Sequence, residues 1–96
     1  MALETRPFDA AEVLGDDERI AAYLAEAFAN GDPALIASAI GDVARVRNIT
    51  AIARDTGLTR ETLYRAFSPG GNPTLATIAA VVKALGFQLS IRPVGG

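Results

Sequence analysis

Gly57 separates two short segments, Thr50-Ala-Ile-Ala53-Arg-Asp-Thr56 and Leu58-Thr-Arg-Glu-Thr-Leu63-Tyr-Arg-Ala66, and this arrangement restricts the fold more than any other feature of the chain. Ala53 is small where two helices would cross closely. Gly57 sits where the chain must leave the first helix through a left-handed conformation, which glycine adopts without steric cost. Leu58 and Leu63 fall where apolar side chains would fill the space beneath the pair. Thr59 suits the N-cap of a second helix, its hydroxyl accepting from unpaired amides of the first turn. The pattern is that of a helix-turn-helix, with segments expected at about 51–56 and 60–67. Arg60, Glu61, Tyr64 and Arg65 are left pointing outward. In such a motif the second helix enters the DNA major groove, so these four are the candidate base-contacting residues.

Their chemistry supports that assignment. Arg60 and Arg65 carry planar forks able to grip guanine O6 and N7, and a good bidentate pair supplies about 1–3 kcal/mol of discrimination. Glu61 can accept from cytosine N4, or it can orient an arginine and touch no base. Tyr64 can lay its ring on a thymine methyl, give its hydroxyl to a phosphate, or simply pack at the rim. Thr50, Thr59, Thr62 and Asn72 fall near helix starts or loop ends, where such groups commonly hold phosphates. For Thr50 and Thr59, helix capping alone is the competing role. A purely structural helical hairpin would also fit the motif, but it would not require two arginines on the exposed face.

A chain of 96 residues makes one domain, large enough to bury a core with little area to spare. No apolar run approaches membrane-spanning length, and Met1-Ala-Leu-Glu-Thr-Arg6 lacks the regions of a secretory signal. A cytoplasmic location is therefore expected, with no membrane partner. The absence of Cys and His leaves no soft metal site and no side chain whose ordinary pKa is near neutrality. With no nucleotide-binding glycine pattern either, neither enzyme activity nor a cofactor or metal is expected. The net charge of −2 hides a division. Residues 1–44 hold nine acidic residues against Arg6 and Arg19, a net −7, whereas residues 45–96 hold seven basic against Asp55 and Glu61, a net +5. The second half can meet a polyanion although the chain is acidic overall. The first half is either a steering surface for a basic partner or an ordinary solvated face.

The rest of the chain predicts helices and one strand. Asp16, Asp17 and Glu18 favour a helix start, followed at helical spacing by Ile20, Tyr23, Leu24, Ala27 and Phe28 and stopped by Asn30-Gly31-Asp32. Pro33 suits the first turn of a helix with apolar positions Leu35, Ile36, Ala39, Ile40, Val43 and Val46, ending near Asn48. After the breaker-rich Ser68–Pro73 loop, Thr74 caps a helix whose predicted core face is Leu75, Ile78, Val81, Val82 and Leu85, with Gly86 after its end. Phe87-Gln-Leu89-Ser-Ile91-Arg alternates like a strand. A lone strand needs a partner, so Phe87, Leu89 and Ile91 are the candidate dimer residues, paired with a second copy across a two-fold axis. A tail packed on its own subunit is the alternative.

Taken together, these segments resemble the lambda-repressor-like (XRE) helix-turn-helix proteins, and within them the small HigA-like antitoxins of the putative addiction module antidote family. The broad resemblance rests on the motif above and on the Asn72–Gly86 helix. The narrower one rests on Thr5–Leu14, Ile20–Phe28, Gly31–Leu35, Ile40–Arg45 and Phe67–Thr74. It implies an all-α fold: a lambda-repressor-like helix-turn-helix bundle with an N-terminal helical extension and a short C-terminal β-strand. Residues 1–32 would be the acidic toxin-binding part, 33–86 the DNA-binding domain and 87–96 the dimerisation strand. It further implies a type II antitoxin that neutralises a RelE/ParE-like toxin, with Phe8 and Tyr23 as candidate toxin contacts. The same protein would repress its own operon at an inverted-repeat DNA operator as a homodimer. A stand-alone phage-type repressor without a toxin partner is the alternative.

Overall fold

In the computed structural model, residues 16–94 are described and form five helices. These are α1 (Asp17–Asn30), α2 (Pro33–Arg47), α3 (Ile49–Thr56), α4 (Arg60–Ala66) and α5 (Leu75–Ala84). Most of their ends follow from the local chemistry of the chain. Asp16 caps α1, its carboxylate accepting from the Glu18 amide at 2.8 Å. Gly31 closes that helix in the left-handed region at φ 83°. Asp32 then caps α2 by accepting from the Ala34 amide at 3.0 Å, with Pro33 in the first turn. Thr59 and Thr74 cap α4 and α5 through the amides of Thr62 and Thr77.

The helices share one core. α1 gives it Ile20, Leu24 and Ala27; α2 gives Ala37, Ala39, Ile40, Val43 and Ala44; Ile52, Leu63, Phe67, Val81, Val82 and Leu85 complete it from the other helices and their ends. α2 is the central element, packing on α1 along one side and on α3, α4 and α5 along others. This position explains why its buried stripe is wide and why it holds a glycine in mid-helix. A Cβ on Gly41 would lie 2.9 Å from Phe67 Cβ and 3.0 Å from the Phe67 carbonyl oxygen. Gly41→Ala gains about 1 kcal/mol of helix propensity but forces an overpacking cost of about 1–3 kcal/mol. Its urea midpoint is therefore expected to fall. An unchanged or raised midpoint would show that Phe67 can retreat freely.

Several expectations need correction. The first of the two short helical segments starts at Ile49 rather than 51, because Asn48 and not Thr50 is the cap: its side chain accepts from the Ala51 amide at 3.1 Å. Thr50 is an exposed residue of the first turn. Helix α4 stops at Ala66, with Phe67 as its C-cap. Leu75, expected in the core, is 75% exposed as the first residue of α5, and the helix buries Val81 and Val82 further along. Leu35 and Val46, at the two ends of α2, are also exposed.

The expected C-terminal β-strand is absent: the described residues contain no strand, and 87–93 run without a ladder. The physical reason is the one that made a partner necessary, since no second strand among the described residues satisfies the edges. Only Phe87 is anchored, its amide donating to the Val82 carbonyl at 3.1 Å and its ring packing on the core. Leu89 is 39% exposed and Ile91 98%. The alternation along 87–91 thus places one side chain, Phe87, against the core and leaves the rest of the tail lying outside it.

Candidate functional site

The site is built from the two shortest helices. Neither α3, of eight residues, nor α4, of seven, would be stable alone in water, so each depends on its packing. Gly57 ends α3 in the left-handed region at φ 79°, its amide donating to the Ala53 carbonyl at 2.9 Å. Thr56 helps at the same end, its hydroxyl donating to the Ile52 carbonyl at 2.8 Å and accepting from the Leu58 amide at 3.2 Å. Ala53 and Leu58 pack partly buried against the core beneath this turn, and Leu63 is the buried anchor of α4. Thr59 Oγ1 accepts from the Thr62 amide at 3.0 Å and its hydroxyl meets that of Thr62 at 2.8 Å.

With Leu63 turned inward, α4 leaves Arg60, Glu61, Tyr64 and Arg65 on its exposed surface. The side chains of Arg60, Glu61 and Arg65 make no hydrogen bond or ion pair among the described residues, so Glu61 does not orient an arginine here. Tyr64 is partly covered at the rim. Arg60 occupies the first position of the helix and Arg65 the last turn. The arrangement leaves two guanidiniums, a carboxylate and a phenol available along one short helix. Thr59 is exposed at the N-cap of α4 and Thr50 is exposed in the first turn of α3, Thr62 is half-buried and held by Thr59, and Asn72 is exposed in the loop before α5.

The end of α4 is fastened as carefully as its start. The Ser68 hydroxyl donates to the Tyr64 carbonyl, and Arg45 Nη2 donates to the Phe67 carbonyl at 3.4 Å. Gly71 crosses directly over the last turn, where a Cβ would collide with the carbonyl oxygens of Arg65 and Ala66. Neither Gly41 nor Gly71 stood out in the sequence, because nothing local marks a glycine whose neighbour arrives from another element.

Tyr23 is half-buried on α1, and its hydroxyl donates to Asp42 Oδ2 on α2 at 2.9 Å. Phe8 lies outside the described residues. Burial first, then the hydrogen bond to Asp42 and the charge of that carboxylate, hold the Tyr23 phenol well above its ordinary pKa of 10.0. The folded state therefore keeps a proton that the unfolded chain releases. Stability from this group is fully present below pH 10 and declines as pH rises above about 10. Denaturation midpoints followed from pH 8 to 11 should show this extra decline in the native protein and not in Tyr23→Phe. Parallel profiles would mean that the phenol is neither buried nor bonded to Asp42 in solution.

The chain matches the family described as "Probable addiction module antidote protein" over residues 4–93, and it belongs to that family. It is also similar to an "Uncharacterized protein" of Haemophilus influenzae, at 47% identity over 92 residues, covering 96% of this chain and 95% of the relative. No solved structure matches the chain. Membership of an antidote family implies a toxin partner of some kind. Among the described residues, no helix is long and apolar enough to cross a membrane.

Proposed function

We propose that this protein is the antitoxin of a type II toxin–antitoxin system, which neutralises a RelE/ParE-like toxin by direct binding and represses its own operon through α3 and α4. The observation that carries the DNA-binding half is the row of outward side chains on α4, Arg60, Glu61, Tyr64 and Arg65, on a helix capped by Thr59 and anchored by Leu63. The net +5 of residues 45–96 supports the same reading, since phosphate contacts need local positive charge. The family supports the antitoxin half. In this reading residues 1–32 carry the toxin contact, and the acidic residues there steer a basic toxin.

The operator is an inverted repeat bound by a homodimer, with half-sites centred about one helical turn apart. Leu89 and Ile91, exposed beyond the Phe87 anchor, provide apolar surface for the dimer contact without a paired strand. The reading is tested by co-expressing the chain with the product of the adjacent gene and by titrating it with DNA from upstream of its own gene. Co-purification, relief of toxicity, and salt-dependent binding that prefers an inverted repeat are the expected results. Repeat-specific binding without any co-purifying partner would favour a stand-alone phage-type repressor. Rescue from toxicity with no DNA preference would remove the operator role.

A further inference from the structure

Arg45 lies on α2, away from the outward face of α4, yet its guanidinium reaches the end of α4. Its Nη2 donates to the Phe67 carbonyl at 3.4 Å and its Nη1 to Asp42 Oδ1 at 3.4 Å. The other oxygen of Asp42 accepts from the Tyr23 hydroxyl at 2.9 Å. One carboxylate thus joins a phenol on α1 to a guanidinium whose second nitrogen ends on α4. The approach is close because Gly41 stands where a side chain would fill the gap: a Cβ there would lie 3.2 Å from Arg45 Nη1.

We infer that Arg45 is a positioning residue for α4, aimed by Asp42 and Tyr23, and that it sets the pose of the helix proposed to read DNA. The inference rests on that reading of α4 for its functional consequence. The Phe67 carbonyl is among the last acceptors of a helix end, which have no partner within the helix, and a cation there also complements the helix dipole. The Asp42–Arg45 pair is partly exposed, with side chains 31% and 39% accessible, so as an ion pair it contributes little to stability. Its value is directional. A helix of seven residues is anchored by Leu63 within it and by the Phe67 ring at its C-cap, and the Arg45 contact fixes the direction of the backbone carbonyl at that end.

The test compares Arg45→Gln, Arg45→Lys and Tyr23→Phe with the native protein, well below their melting temperatures. Hydrogen exchange is read at the amides of α1 and α4, and affinity is read on a repeat from the chain's own upstream DNA and on unrelated DNA across a salt series. Arg45→Gln should speed exchange in α4 while leaving α1 unchanged, and should lower the ratio of specific to unspecific binding roughly three- to tenfold, the range expected for one hydrogen bond. Its salt slope should stay native. Arg45→Lys, with one charged group for two acceptors, should rescue only in part, and Tyr23→Phe should shift α4 in the same direction by less. Native exchange in α4 of Arg45→Gln would overturn the inference. So would uniform loss on all DNA with a salt slope lower by about one, which marks a phosphate contact. If the native protein binds no DNA, the operator reading fails while faster exchange confined to α4 still supports the positioning role.

Discussion

Leu63→Ala is expected to lose about 2–5 kcal/mol of folding stability, the cost of emptying a well-packed core site. Leu63 is 1% exposed and is the only fully buried side chain within α4, so no neighbour on the same helix can take over its packing. For a small domain whose total stability is about 5–15 kcal/mol, the loss is a large share. It should also reach function. The helix carrying Arg60 and Arg65 is held to the core by this leucine and by the buried Phe67 at its C-cap, so with one of the two emptied DNA binding should weaken under conditions where the variant is still mostly folded. Urea unfolding with parallel DNA titration measures both. A stability change under about 1 kcal/mol would show that α4 is held by its ends, through Thr59, Ser68 and Arg45, rather than by its anchor.

Arg60→Ala and Arg65→Ala should each cost about 1–3 kcal/mol of operator affinity at one base pair per half-site, or roughly ten- to a hundredfold, if each reads a base. The expected signature is relaxed preference at that position with little change in binding to unrelated DNA. Uniform weakening with a shallower salt slope would instead assign that arginine to a phosphate. The structure gives no reason for either change to unfold the protein, because both side chains are exposed and unpaired among the described residues. A loss of melting temperature comparable to that of Leu63→Ala would therefore contradict the assignment of these residues to a binding surface. Operator titration against a panel of single-base variants separates the outcomes.

What was legible beforehand was what the chain settles within a few residues. Gly31, Pro33, Gly57, Thr59 and Thr74 each act through their own torsions or on backbone groups three or four positions away, and the structure uses all of them in that way. The outward placement of Arg60, Glu61, Tyr64 and Arg65 followed from Leu63 facing in. What was not legible depends on encounters between distant residues. Tyr23 and Asp42 are 19 positions apart, and Arg45 and Phe67 are 22. Periodicity also overreached at element ends: Leu35, Val46 and Leu75 have the right spacing but lie exposed, with no helix among the described residues covering them. The tail failed as a strand for the same reason, since alternation specifies faces but cannot provide a partner.

Asn48 closes α2 and opens α3 by itself, its amide donating to the Ala44 carbonyl at 3.1 Å while its side chain and carbonyl serve the amides of Ala51 and Ile52. A joint one residue long has no slack. One inserted residue there would separate the two roles, so that no single residue could donate to the Ala44 carbonyl and also cap the amides of Ala51 and Ile52. Length changes during the divergence of such proteins should therefore gather at the exposed Pro69–Gly70 tip and avoid this junction, and a circular permutation opened at the tip should survive where one opened beside Asn48 does not.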